Sequence, residues 1–123
     1  IPSVEGCVMI IDLETVNIYV RPGKTDMRKQ INGLSILVAE ELDLDPFSGA
    51  LFLFCSKRRH LLKILYWDRN GFCQWQKRLE RDRFPWPMNR SEVQEIDLEK
   101  LRQILAGINF WESHEQLEYS SVY

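Results

Sequence analysis

The 123-residue sequence contains few of the residues from which metal centres, disulfide frameworks and nucleophilic catalytic sites are built. It has three cysteines without a CxxC pair and two isolated histidines, His60 and His114. Such a small and scattered set forms neither a zinc cluster nor a disulfide framework, and it is typical of buried thiols in a reducing compartment. We therefore expect no metal ion and no cofactor.

Long apolar runs are also absent from the sequence. No run approaches the roughly 20 residues that a membrane-spanning helix needs, and no stretch has the basic, apolar and small-residue order of a signal peptide. The phosphate-binding motif GxxxxGK[ST] is missing as well. These absences predict a cytoplasmic protein with no membrane partner and no small-molecule substrate.

The acidic residues include candidates for metal-dependent chemistry, but their spacing assembles no site. Asp12, Asp26 and Asp68 lie where Asp commonly caps a turn or a helix, and only Asp68 and Glu80 are close in the chain. Two-metal phosphoryl chemistry needs such carboxylates held together by neighbouring elements. The sequence therefore predicts that the protein is not an enzyme, with a metal-dependent nuclease as a remote alternative.

Charge is unevenly distributed along the chain, although the net charge is only −2. Residues 57–90 hold ten Lys and Arg against three Asp and Glu, a net charge of +7. The flanking segments 1–56 and 91–123 carry −4 and −5. A basic block between two acidic ones is what an interface for an anionic partner would look like. The alternative is that the acidic ends fold back and neutralise the block.

The order of apolar runs predicts a single α+β domain over residues 1–110. Its sheet is expected to be small and antiparallel, with about five strands in two hairpins, packed against one long helix and a C-terminal helix. The expected strands are 8–11, 16–20, 50–55, 61–68 and 72–81. Residues 111–123 are interpreted as a polar C-terminal tail whose order the sequence does not predict.

Helical spacing of apolar residues predicts the two helices. The long helix is expected to begin at a cap formed by Thr25 or Asp26. Its apolar face consists of Met27, Ile31, Leu34, Val38 and Leu42. The C-terminal helix is expected to be capped by Asp97 and to end at or near Gly107.

Asn70-Gly71 is the strongest hairpin signal in the chain, because type I′ turns need positive φ at both central positions. With these two residues as the loop, Arg69 pairs with Phe72, and Lys63 lies directly across from Arg78. Residues 72–83 also fit a basic amphipathic helix. The hairpin is the preferred interpretation, and the helix stays open as an alternative.

In this register the hairpin has an apolar face and a mixed face. The apolar face, expected to pack on the core, holds Leu62, Ile64, Tyr66, Asp68, Cys73, Trp75, Lys77 and Leu79. The mixed face, expected to point outward, holds Lys63, Leu65, Trp67, Arg69, Phe72, Gln74, Gln76 and Arg78. Cations, amides and exposed rings are the groups that hold phosphates, contact base edges and stack on bases.

We therefore predict a nucleic-acid-binding surface on the mixed face, extended by the basic turn at 57–59 and the segment that follows the hairpin. The predicted residues are Arg58, Arg59, Lys63, Trp67, Arg69, Gln74, Gln76, Arg78, Arg81 and Arg83. A covered sheet face with solvated charges at its edges is the alternative. A secondary anion site is predicted at the start of the long helix, from Lys24, Arg28 and Lys29. Exposed helix charges without a function are the alternative there.

Several motifs together resemble one protein family. They are GKTDMRK, DPFSGALFLF, RRHLLKILYWDRNGFCQWQKRLERDRFPWP and LRQILAGINF, in this order over about residues 16–111. The chain is similar to the second open-reading-frame products of insertion-sequence-66 elements, the TnpB-type accessory proteins, which are distinct from the RNA-guided nuclease of the same name. Gln30 and Asp82 stand where the family commonly has Gly, and Asp82 makes the basic patch less electropositive.

The resemblance implies a bacterial accessory protein of transposition, encoded beside a separate transposase that carries the catalytic residues. It implies no catalytic residues for this chain. The expected partners are DNA at the element ends, the cognate transposase, or both. The first hypothesis is direct binding to DNA or to the transposase–DNA complex, and the second is a protein-interaction subunit without DNA contact.

Overall fold

The computed structural model describes residues 15–107, which form a five-stranded mixed sheet with one helix on each face. The strands are β1 (Ile18–Val20), β2 (Leu51–Cys55), β3 (Leu61–Asp68), β4 (Gly71–Arg78) and β5 (Gln94–Ile96). The helices are α1 (Ile31–Glu40) and α2 (Leu98–Ala106). The prediction of an α+β fold with two helices and five strands in the sheet is therefore confirmed in outline.

The sheet order is β4-β3-β2-β1-β5, and β1 runs parallel to β2 while every other neighbouring pair is antiparallel. The prediction of a fully antiparallel sheet was therefore wrong. A parallel pair needs a long crossover, and the chain between β1 and β2 supplies it with α1. Strand β5 was not predicted. The predicted strand at 8–11 and the tail at 111–123 lie outside the described residues.

Strand β2 is the centre of the fold, and all five of its residues are buried. Its run LFLFC has no polar residue because both of its faces are covered, as is usual for strands next to a parallel neighbour. Leu51, Leu53 and Cys55 face α2 and the segment that carries Phe84 and Trp86. Phe52 and Phe54 face α1 on the other side. The sheet therefore has a hydrophobic core on each face.

Helix α1 is shorter than the sequence predicts, with 10 residues that begin at Ile31. Its N-cap is Gln30, which makes no side-chain capping bond, so the predicted cap at Thr25 or Asp26 was wrong. The Asp26 carboxylate is occupied elsewhere, since it accepts bonds from the backbone and the guanidinium of Arg28. Residues 24–30 consequently form an irregular loop.

Helix α2 begins and ends as predicted. The Asp97 carboxylate accepts a bond of 2.9 Å from the Lys100 amide, which satisfies a backbone donor of the first turn. Gly107 ends the helix in the left-handed conformation with φ of 86°. Leu101 and Ile104 bury the apolar face against the sheet.

The hairpin of β3 and β4 is also confirmed, so residues 72–78 form a strand rather than a helix. Its register differs from the prediction, because Asp68 pairs with Gly71 and the two loop residues are Arg69 and Asn70. Arg69 takes the positive φ of 50° that the sequence interpretation gave to the Asn-Gly pair. The partners on β4 shift by two residues, and an even shift leaves each side chain on its predicted face.

Candidate nucleic-acid interface

Lys63 is the largest departure from the predicted interface, because it is buried rather than exposed. Its side chain is 2% exposed, and its Nζ donates to the carbonyls of Met27 and Lys29 at 2.8 and 2.9 Å. Burial lowers the pKa of this ammonium group. It lies across from Gln76 instead of Arg78, so the predicted like-charge pair does not form.

The physical reason is the parallel crossover between β1 and β2. The chain from β1 passes over the mixed face of the hairpin before α1 begins, and its carbonyls need donors once they are out of water. Lys63 supplies those donors. The centre of the mixed face, at Lys63 and Leu65, is therefore covered by α1 and the loop before it, while Gln76 and Arg78 stay exposed. The apolar face packs on the core, as predicted, and α2 contributes to that core.

Apart from Arg69 at the hairpin turn, the exposed cations of the hairpin region gather at one end of the sheet. The turn 56–60 and the segment 79–84 are joined there by backbone bonds of 2.8 Å, from the Leu79 amide to the His60 carbonyl and from the Phe84 amide to the Arg59 carbonyl. A ring nitrogen of His60 also lies 3.2 Å from the carbonyl of Asp82. The two segments therefore form one surface, here called the basic end, whose cations are Lys57, Arg58, Arg59, Arg78, Arg81 and Arg83.

Most cations of the basic end have no carboxylate partner within the described part of the chain. Arg78 alone among them forms a long ion pair there, 3.8 Å from Glu80, with both side chains at least 74% exposed. A pair of this kind contributes little because water screens it. Lys57, Arg58, Arg81 and Arg83 are exposed, and Arg59 is partly so.

Arg59 has an unusual backbone conformation, with φ of 62°. A side chain with a β-carbon costs about 1–2 kcal/mol in this left-handed region, where glycine is the ordinary occupant. The turn therefore carries a cation at a position where local stability favours Gly.

The predicted anion site at 24–29 lies beside the basic end. A cavity of about 410 Å³ is lined by Lys24 and Lys29 from the loop before α1 and by Lys57 from the basic end. Arg28 is not part of it, since its guanidinium points away, 92% exposed and bonded to Asp26. The structure thus brings two segments of the predicted sites together at one cavity.

The loop before α1, which carries Lys24 and Lys29, is held by buried polar groups. The Trp86 Nε1 donates to the carbonyls of Arg21 and Gly23 at 2.9 and 3.1 Å. The amide of Thr25 donates to the Cys55 carbonyl at 2.8 Å, which fastens the loop to the end of β2. With Lys63 bonded further along, the backbone of the loop is fixed at three places.

The acidic residues of the cavity are already matched by arginines. The Arg28 guanidinium and amide bond to the Asp26 carboxylate and hold the pKa of that carboxyl well below its usual range. The same contact raises the pKa of Arg28. Glu41 accepts a bond of 2.9 Å from Arg21. These pairs occupy both carboxylates, so the three lysines form no ion pair within the described residues, although the Lys29 charge also helps to lower the pKa of Asp26.

The opposite end of the sheet contains two further predicted residues, Trp67 and Arg69. Trp67 lies in a cluster of three rings with Phe47 and Phe72, whose centroids are 5.0–5.2 Å apart. Phe47 is 57% exposed. Arg69 lies 3.8 Å from Asp68 at the hairpin turn. We call this region the aromatic end, defined by Phe47, Trp67, Arg69 and Phe72.

The two predicted amides lie between the ends, on β4. Gln74 is partly buried, and its amide donates to the Gln30 side chain at 3.2 Å, so it packs against the chain that enters α1. Gln76 is exposed. The predicted residues therefore divide into a basic end, an aromatic end, two separate amides and one buried lysine.

The proximity of Lys57 to the 24–29 loop was not predicted from the sequence. The signal was present in the order strand, helix, fully apolar strand, which is typical of a parallel crossover. In a parallel pair, the residues that follow the two strands leave at the same edge of the sheet. The expectation of an antiparallel hairpin before residue 20 concealed this.

Of the candidate catalytic carboxylates, Asp68 and Glu80 are not brought together, and Asp12 lies outside the described residues. Asp68 and Glu80 flank β4 at opposite ends, and its eight residues separate them by roughly 25 Å. Among residues 15–107, no three His, Cys, Asp or Glu side chains are grouped so as to hold a metal ion. None of the helices in that range is long and apolar enough to cross a bilayer.

Fold and site together define a small α+β domain with a cationic end. The family model described as IS66 Orf2 like protein matches residues 16–115, which is most of the chain, and the protein belongs to that family. The family points to an accessory protein of transposition.

Two relatives come from Sinorhizobium fredii (strain NBRC 101917 / NGR234). The uncharacterized protein y4hO is 36% identical over 97 residues, which cover 79% of this chain and 84% of the relative. The uncharacterized protein y4jC is 32% identical over 95 residues, covering 77% and 81%. No solved structure matches the chain.

Proposed function

We propose that this protein is a non-catalytic accessory protein of bacterial DNA transposition that binds DNA at the element ends, alone or with the transposase, through its basic end. The observation that carries the proposal is the group of cations that have no carboxylate partner in the described residues, on two segments joined by backbone bonds. Duplex DNA presents one negative charge per about 1.7 Å along its axis. A fixed group of exposed cations complements that charge.

The chemistry of the basic end favours contact with phosphates over reading of bases. Arg58, Arg59, Arg81 and Arg83 are on turns, where their guanidinium groups reach the backbone of a duplex without entering a groove. Phosphate contacts of this type position a protein and carry no sequence information directly. Recognition of element ends then depends on DNA shape or on the transposase.

A salt-titrated binding assay tests the proposal, with element-end DNA and unrelated DNA, in the presence and absence of the transposase. Each phosphate neutralised contributes a slope of about −0.9 in log affinity against log salt. With five of the cations engaged, we expect a slope of about −4 to −5. Absence of binding at low salt would contradict the proposal.

Two glycine substitutions provide a matched pair for the same assay. Arg59→Gly and Arg69→Gly each remove one cation from a position with positive φ, one at the basic end and one at the aromatic end. We expect Arg59→Gly to weaken DNA binding and to reduce the salt slope by about one. Arg69→Gly should change neither. Because Gly is the ordinary occupant of this conformation, loss of fold does not account for lost binding.

A second candidate function is a protein-interaction subunit that contacts the transposase. The observation that favours it is the exposed Phe47 ring at the aromatic end, because large exposed aromatic side chains are enriched in protein interfaces. Copurification with the transposase that is lost in Phe47→Ser, without any DNA affinity at low salt, would select this function over the first.

A further inference from the structure

The cavity between the 21–29 loop and the basic end has features that DNA binding by the basic end does not require. It is a concave site of about 410 Å³, within the range of about 300–1,000 Å³ that is typical of small-ligand sites. Three lysines line it, Lys24, Lys29 and Lys57. We propose that this cavity is a phosphate-binding site, which holds one phosphate group among these three ammonium groups.

The charge balance of the cavity supports an anionic ligand. Its two carboxylates, Asp26 and Glu41, are each bonded to an arginine, at 2.8 and 2.9 Å. The three lysines form no ion pair within residues 15–107. An ammonium group is a compact charge that commonly binds phosphate oxygens. A phosphate group therefore compensates charge that the cavity itself leaves unmatched.

The backbone that carries the lysines is also held in place, although the three lysine side chains are exposed. Lys63 holds the carbonyl of Lys29 at 2.9 Å, and the Thr25 amide is bonded to the end of β2, one residue before the turn that carries Lys57. The Lys29 side chain runs close along α1, where a β-carbon on Gly33 would lie 3.2 Å from its Cβ. Such preorganisation lowers the entropic cost of binding a ligand.

Lys63 thereby changes its role from the predicted contact residue to a positioning residue. It does not reach the cavity's ligand, since its Nζ is bonded to two backbone carbonyls and its side chain is 2% exposed. Its contribution is to fix the backbone at Met27 and Lys29.

The phosphate has two possible sources, a phosphodiester within a DNA strand or a terminal or free phosphate. Arg58, Arg81 and Arg83 do not line the cavity, so phosphate binding there does not depend on the proposed DNA function. Where the source is DNA, the inference rests on that function. Probes of both kinds therefore belong in one experiment.

The first measurement is titration of the isotope-labelled protein with inorganic pyrophosphate in chloride buffer, observed by backbone amide NMR. We expect saturable shifts at Lys24, Lys29 and Lys57, and loss of saturation in the double variant Lys24→Gln/Lys29→Gln. The control Lys100→Gln/Arg102→Gln removes the same charge from α2 and should bind as the unmodified chain does. Shifts that do not saturate, or that are equal in both double variants, would overturn the inference.

The second measurement compares DNA strands with a 5′-phosphate or a 5′-hydroxyl. A terminal-phosphate site gives tighter binding of the phosphorylated strand, lost in Lys24→Gln/Lys29→Gln. A phosphodiester site gives equal binding of both strands, and the double variant, which removes one phosphate contact, reduces the salt slope by up to about one for each. If both DNA strands bind but the double variant changes nothing and pyrophosphate does not saturate, the phosphate site is wrong and the basic end stands. If pyrophosphate saturates and no DNA binds, the site stands for free phosphate and the proposed DNA function fails.

Discussion

The two ends of the sheet are built on different physical principles. Beside the basic end, the backbone of the 21–29 loop is held by polar contacts from Trp86, Thr25 and Lys63, and most cations of the loop and of the basic end are exposed. At the aromatic end Phe47, Trp67 and Phe72 pack ring against ring. Polar groups that are satisfied by the fold keep a cationic surface in place without neutralising it. Ring packing closes the other end and leaves one aromatic side chain on the surface.

The largest expected effect is at Lys63, whose loss leaves two carbonyls without their donor. We expect Lys63→Met to lower the free energy of unfolding by about 2–4 kcal/mol, since an unsatisfied buried acceptor costs about 1–3 kcal/mol. Urea denaturation measures it.

The matched control for this variant is Lys77→Met on the partner strand. The Lys77 Nζ donates to a single carbonyl, that of Leu105, at 3.2 Å, and it is less buried. Its removal should cost less than about 1.5 kcal/mol. Equal costs at the two positions would mean that the loop before α1 does not depend on Lys63.

The next effect concerns Cys55, the last residue of β2 at the basic end. Burial raises the pKa of its thiol from 9.0 to about 12, against a smaller opposing influence of Arg59. As the pH rises, the Cys55 thiol ionises in the unfolded chain before it ionises in the folded protein. The stability that the buried neutral thiol contributes is therefore complete below pH 9 and is lost as the pH rises toward 12. We expect about 1.4 kcal/mol of stability to be lost per pH unit in this window.

Denaturation between pH 8 and pH 10.5 tests this dependence, with Cys55→Ala as the comparison. The variant is less stable throughout because of its cavity, but its stability should fall less steeply with pH. Parallel pH profiles for the two proteins would show that the thiol is not protected.

A smaller effect is expected at Phe47, which separates packing from surface exposure at the aromatic end. Each aromatic pair contributes about 0.5–1.5 kcal/mol, so Phe47→Ala should cost about 1–2 kcal/mol. Ile36 is exposed to a similar extent, 54%, and is not part of the ring cluster, so Ile36→Ala should cost less than about 0.5 kcal/mol. Thermal denaturation ranks the two. Equal losses of stability would show that the ring cluster does not stabilise the aromatic end.

The smallest expected effect is a gain in stability, in contrast to the losses above, and it should be equal at the two ends. Arg59→Gly and Arg69→Gly relieve positive φ, and we expect each to raise the free energy of unfolding by about 0.5–1 kcal/mol. Equal gains in stability with unequal DNA affinity would separate the ends by function alone. Destabilisation by either substitution would show that the arginine side chain supports its turn.

Much of the local structure follows from local residue patterns. The hairpin, the Asp97 cap and the Gly107 stop were predicted from short segments, because turns and caps depend on the few residues that form them. The segregation of charge into residues 57–90 was likewise read from the chain. The side-chain faces of the hairpin survived an error in register because the shift was even.

The burial and the contacts of each predicted site residue could not be predicted from local residue patterns. Lys63 and Arg78 share a face of the hairpin, yet one is buried beneath the loop before α1 and the other is exposed. Alternation along a strand specifies the face and says nothing about what covers it. The covering element comes from a distant part of the chain.

The sequence by itself determined the family, the hairpin and the cationic segment, because each depends on short stretches of contiguous residues. The tertiary structure decided that β1 and β2 run parallel, and so brought Lys24 and Lys29 next to Lys57. Strand direction depends on which strands pair across long stretches of chain, and that choice is made by burial of two sheet faces at once. The same packing converted Lys63 from a predicted surface contact into an internal support of the loop before α1.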